Sequence, residues 1–94
     1  MRLTQQEQHA IKTAVQQLDE NARVFLFGSR TDDEKSGGDI DVLIFSTQLD
    51  KKQLRRVKWH FYDLFGEQKM DLVLDSGQLD TPFVKMIFPS AVEL

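Results

Sequence analysis

Apolar residues return along this chain at two rhythms, and each rhythm marks a different kind of element. Ile11, Ala14, Val15 and Leu18 recur at i, i+3, i+4 and i+7, the single stripe of a helix with one buried face. Thr4-Gln5-Gln6-Glu7 precedes that stripe and has the form of a capping box, in which a hydroxyl and a carboxylate satisfy each other's free backbone N–H groups. The pattern stops near Asp19-Glu20-Asn21. A second helix is predicted over residues 51–65, burying Leu54, Val57, Phe61 and either Leu64 or Phe65, with Trp59 and Tyr62 flanking the stripe. Asp50 is its expected N-cap and Gly66 its stop.

The other rhythm is that of strands. Residues 23–27 form a short apolar run ending at Gly28, and residues 30–38 are polar and glycine-bearing, which reads as a loop with room for a turn of helix. Residues 39–45 alternate: Asp39, Asp41, Leu43 and Phe45 share one face, and Ile40, Val42 and Ile44 share the other. A third strand is expected over residues 70–74. Thr81-Pro82 then opens a short helix over Phe83, Val84, Met86, Ile87 and Phe88 that Pro89 terminates.

The order of elements already suggests a topology. A helix-containing crossover joins the second and third strands, as parallel neighbours require, so their N-terminal ends lie together. The first strand reaches the second through a loop alone, and an antiparallel pairing would set Gly28 and Ser29 at that same end. Gly28-Ser29 and the carboxylates of Asp39, Asp41 and Asp71 are thereby expected to converge. Three acids in one place repel one another, a cost that bound cations or raised pKa values relieve and that folding alone does not demand. Mg²⁺ is commonly held by one or two carboxylates together with substrate phosphates. A calcium loop is excluded, because Leu43 stands at the next ligand position and no Glu closes the loop.

Composition narrows the classes further. A chain of 94 residues is one small domain, 1–94, which buries about 60 to 65% of the surface its unfolded form exposes. It has no cysteine, so disulfides and thiolate metal sites are excluded. The absence of a long apolar run, and the polar residues Gln5, Gln6, Glu7 and Gln8 near the start, predict a soluble cytoplasmic protein with no membrane partner. The net charge of −3 argues against a broad nucleic-acid surface. Lys51, Lys52, Arg55, Arg56 and Lys58 nevertheless concentrate five positive charges in eight residues, leaving seven basic against fifteen acidic residues elsewhere. Such a run is either a solvated helix face or a contact for an acidic or phosphate-bearing partner. His9 and His60 fall within helical patterns and receive no role. No Walker A, dinucleotide fingerprint or nucleophile elbow is present.

The sequences Phe27-Gly28-Ser29-Arg30, Gly38-Asp39-Ile40-Asp41-Val42-Leu43-Ile44 and Met70-Asp71-Leu72-Val73 together resemble the motifs of the DNA polymerase beta-like nucleotidyltransferase superfamily, and within it the minimal nucleotidyltransferases. The resemblance implies an α/β (α+β) nucleotidyltransferase fold, with a small mixed sheet of three strands or slightly more and helices mainly on one face. It also implies roles. Gly28 and Ser29 would grip the β- and γ-phosphates, Arg30 assisting. Asp39 and Asp41 would bridge two Mg²⁺ ions, and Asp71 would help bind metal and act as general base toward the acceptor hydroxyl.

Larger members of that superfamily carry a further helical domain for base and acceptor, whereas here fewer than 25 residues follow Asp71, so the acceptor site is expected to be supplied by a partner. Minimal members resembling this chain are often antitoxins encoded beside a small helical HEPN-type toxin, and some transfer AMP from ATP to a hydroxyl on it. That is the expected function. The competing readings are a non-catalytic subunit that neutralises its partner by docking alone, and a transferase to a small-molecule hydroxyl such as an aminoglycoside's. Leu43, Phe45, Phe83, Ile87 and Phe88 offer apolar material for an interface if one sheet face is left under-covered. Homo-oligomerisation stays open.

Overall fold

Residues 3–28 and 40–94 are described by the computed structural model. Their order is α1 (Gln5–Leu18), β1 (Arg23–Phe27), β2 (Ile40–Phe45), α2 (Lys51–Phe65), β3 (Met70–Asp75), α3 (Pro82–Ile87), a 3-10 turn (Phe88–Ser90) and β4 (Val92–Glu93). The sheet runs β3-β2-β1-β4. β2 is antiparallel to β1 and parallel to β3, and β4 lies antiparallel on the outer side of β1. The mixed α/β architecture expected from the pattern is therefore present, with four strands.

Local chemistry sets the helix ends. Thr4 Oγ1 accepts the N–H of Glu7 while the Glu7 carboxylate accepts that of Thr4, at 3.1 and 3.0 Å, so α1 begins with a complete capping box. Asp50 and Gln53 make a second such box at α2, at 2.9 and 3.0 Å. Gly66 ends α2 at φ 85°, its N–H donating to the Tyr62 carbonyl, a conformation that costs glycine little. Thr81 caps α3, with Pro82 in its first turn.

The alternation along β2 divides the core into two layers. Ile40, Val42 and Ile44 pack with Ile11, Val15, Val57 and Phe61 beneath α1 and α2. Leu43 and Phe45 face the other way, onto Phe25, Phe27 and Val84. The two long helices thus share one face, and the second face is closed by the chain's own tail. Val84 is buried, and the Phe88 ring lies 5.4 Å from that of Phe25 and 5.3 Å from that of Phe45, within the range of favourable aromatic pairs.

Several expectations change in detail. Leu43, Phe45, Ile87 and Phe88 are core or packed against it rather than a bare interface, while Phe83 and Met86 stay exposed at 46% and 70%. Phe65, not Leu64, completes the stripe of α2. β3 continues to Asp75, because Ser46 N–H still donates to the Asp75 carbonyl at 2.9 Å. Pro89 does not stop the chain's coiling: α3 ends at Ile87, and Pro89 sits inside the 3-10 turn that follows, where its missing N–H has no intrahelical partner to lose. β4 was unexpected. It is fastened by Arg23, whose guanidinium forks onto both Glu93 oxygens at 2.9 Å and holds that carboxyl below its ordinary pKa. β2 starts at Ile40 among the described residues, and the expected loop over 30–38 lies outside them.

Two buried polar clusters brace the sheet end remote from Asp41. Ser46 Oγ donates to Asp19 Oδ2 at 2.6 Å and accepts the N–H groups of Gln48 and Leu49. The Asp75 carboxylate accepts the N–H groups of Gly77, Leu79 and Asp80 at 2.7, 3.1 and 2.9 Å. It thereby shapes the turn that returns the chain to α3, including Leu79 at φ 56°. Burial pushes the Asp75 carboxyl up, but the N–H groups of Asp80, Gly77 and Leu79 outweigh it, so its pKa lies below the ordinary 3.8.

A depressed pKa adds stability in full above the ordinary value and loses it as pH falls through the lowered one. Asp75→Asn is expected to destabilise by about 1 to 3 kcal/mol at neutral pH. In denaturant melts the gap between the two proteins should narrow as pH falls below the ordinary 3.8 and through the lowered pKa. A gap constant across that range would exclude the charged acceptor as the cause.

Candidate active site

Strand register brings the acidic residues together. Asp41 on β2 stands opposite Phe27 on β1 and opposite Asp71 on β3, so Phe27, Asp41 and Asp71 form one row across three strands. Strands lie about 4.8 Å apart, so the two carboxylates on one face are close neighbours. Ile40 and Val42, fully buried on the opposite face, hold Asp41 in that orientation, since turning the strand over would expose both. Asp41 is half-buried and Asp71 exposed.

Gly28 completes the corner. It has φ 75°, and a Cβ built on it would overlap Oδ2 of Asp41. The turn after β1 therefore lies directly against a carboxylate, closer than any other residue type permits. Of the residues expected to form the site, the structure brings together Gly28, Asp41 and Asp71. Ser29, Arg30 and Asp39 lie outside the described residues. Among the described residues no three metal-binding side chains cluster, which leaves Asp41 and Asp71 as a pair. Side-by-side acids beside an open groove fit a divalent cation shared with substrate phosphates, the usual way Mg²⁺ is held. His9 contacts Thr13 on α1 and His60 lines a cleft with Arg56 and Ala14, so neither histidine belongs to the site.

A groove of about 700 Å³ opens from this corner and curls round the edge of β3. Asp41, Asp71, Phe27 and Phe83 line one part of it, and Lys51, Arg55 and Lys58 line the other. Phe83 meets Phe27 edge-on at 6.0 Å between ring centres. A second depression of about 640 Å³ shares Lys58 and Asp71 with the first and runs on past Tyr62 and Lys69. The basic side chains facing the groove were not singled out from the run in sequence. Their spacing of i, i+4 and i+7 was the available signal, because it separates Lys51, Arg55 and Lys58 from Lys52 and Arg56 on the helix surface.

One end of the mixed sheet thus carries paired acids, a glycine turn pressed on one of them and an adjoining groove. The chain matches the family model of the nucleotidyltransferase domain over residues 9–91, and it belongs to that family. A search of curated proteins finds no match to the chain. Nucleotidyl transfer is thus the activity of the family, and NTP with a divalent metal is its general requirement.

Gly28→Ala places a methyl group where the Asp41 carboxylate now lies and strains a left-handed backbone. The variant is expected to lose about 1 to 2 kcal/mol of stability while nucleotidyl transfer falls by about a hundredfold, since small displacements of reacting groups are costly. Circular dichroism and a pyrophosphate-release assay measure the two effects separately. Unimpaired release in a folded variant would refute the close approach.

Proposed function

We propose that this protein is a Mg²⁺-dependent nucleotidyltransferase that moves AMP from ATP to a hydroxyl on a partner protein. The observation that carries the reading is the row formed by Asp41 and Asp71, with Gly28 packed on the first of them. Asp39, Asp41 and Asp71 would hold the metal, which when bound neutralises the triphosphate and polarises the α-phosphorus. Gly28 and Ser29 would orient the β- and γ-phosphates through the turn, with Arg30 beside them. The acceptor hydroxyl gives its proton to Asp71 as its oxygen bonds to the α-phosphorus, and the bond to pyrophosphate breaks in line.

A protein acceptor is favoured by the shape of the groove, which runs along an open strand edge instead of closing into a small pocket. The partner we propose is a small helical HEPN-type protein, with this chain acting as its antitoxin by modifying it. No helix among the described residues is long and apolar enough to cross a membrane.

Incubation with ATP labelled at the α-phosphate, Mg²⁺ and the helical partner should transfer label to the partner and release pyrophosphate. Asp41→Asn and Asp71→Asn should each lower the rate by about 10² to 10⁴. Chelation of the metal should abolish it. Neutralisation of the partner that survives both substitutions without label transfer would establish docking alone and overturn the catalytic reading.

A further inference from the structure

β3 is the outermost strand of the sheet, and among the described residues no strand pairs with its far side. Its ladder to β2 uses the odd positions, since the carbonyls of Lys69 and Asp75 accept from Ile40 and Ser46. The N–H and C=O groups of Leu72 and Leu74 therefore point outward into the groove. An open strand edge is a template for an added strand unless it is blunted. Here the edge lies between two chemically different walls. Asp71 and Val73 face the side of Asp41, whereas Leu72 and Leu74 face α2, beyond which stand Lys51, Arg55 and Lys58.

We infer that the acceptor is captured as an extended acidic segment that adds to β3 as a further strand. This deepens the function proposed above and rests on it for the identity of the reaction. Successive side chains of an added strand point to opposite faces. One set would stand beside Asp71, where a hydroxyl can be modified, and the residues flanking that hydroxyl would turn toward the three cations of α2. Main-chain hydrogen bonds give such a segment affinity, and the alternate side chains give it specificity. Acidic residues next to the modified hydroxyl are thus the recognition signal. A nucleic acid is disfavoured as the occupant, because the basic side chains form one short row on a chain of net charge −3, and a polyanion tracking past it would meet that acidic remainder.

The probe is a fluorescent synthetic peptide with a central tyrosine flanked on both sides by glutamate. Lys51→Glu, Arg55→Glu and Lys58→Glu combined should weaken its binding by roughly tenfold or more. Lys52→Glu with Arg56→Glu, on the same helix but off the groove, should leave binding unchanged. Amide exchange at Leu72 and Leu74 should slow when the peptide binds, a signal that a merely electrostatic contact does not produce.

Failure to bind, equal weakening by both sets of substitutions, unprotected β3 amides, or tighter binding of a single-stranded oligonucleotide would each overturn the inference. Binding with the expected pattern but without AMP on the tyrosine supports the docking mode and counts against the transferase reading. Transfer to the helical partner that is indifferent to the combined α2 variant leaves the transferase reading intact and overturns the docking mode.

Discussion

The parallel pairing of β2 with β3 is the constraint on which the site depends. Ile40 opposes Met70 and Asp41 opposes Asp71, and every later consequence follows from that register. A slip of one residue would carry all side chains of a strand to the other face. Ile40, Val42 and Ile44 would then leave the layer under α1 and α2, and Asp41 would enter it. Burial of three fully enclosed aliphatic side chains therefore holds a carboxylate in the open groove. Each such side chain stabilises by roughly 1.5 to 3 kcal/mol, so the three together outweigh the repulsion of about 3 to 4 kcal/mol between two acids roughly 4 to 5 Å apart at the effective dielectric of a protein surface.

The remaining elements serve the same placement from further away. α2 supplies the crossover that makes β2 and β3 parallel, and its two faces have separate tasks: Leu54, Val57 and Phe61 are buried, while Lys51, Arg55 and Lys58 border the groove. β1 runs antiparallel to β2, so its exit at Gly28 falls beside Asp41. At the other end of the strands, the Asp19–Ser46 and Asp75 clusters satisfy backbone groups that burial would otherwise leave unpaired. The sheet thus carries its paired acids at one end and is internally satisfied at the other.

Some of this was legible because it is local. The capping boxes at Thr4 and Asp50 involve residues three apart, and the alternation along β2 needs nothing beyond the strand itself. The convergence of Gly28, Asp41 and Asp71 followed from topology, since a loop and a helical crossover restrict where the strand ends can lie. Less local matters escaped. Leu64 and Phe65 are equivalent in a helical stripe, and only the rotation of α2 against the sheet chose between them. β4 is two residues long and carries no period. Its existence depends on Leu94 N–H reaching the Val24 carbonyl at 2.9 Å and on the distant pairing of Arg23 with Glu93.

By itself, the amino-acid order determined the three helices and the three longer strands, the face each of those strands buries and the presence of acids and a glycine turn at strand ends, because these rest on backbone periodicity and hydrogen bonds between near neighbours. Tertiary structure alone decided that the tail covers the second sheet face with Val84 and Phe88, that Phe83 is left at the groove, and that three of the five basic residues on α2 look toward Asp71. Those outcomes depend on how helices rotate and dock against a shared sheet, which is a balance of packing over the whole molecule that no single stretch of chain contains.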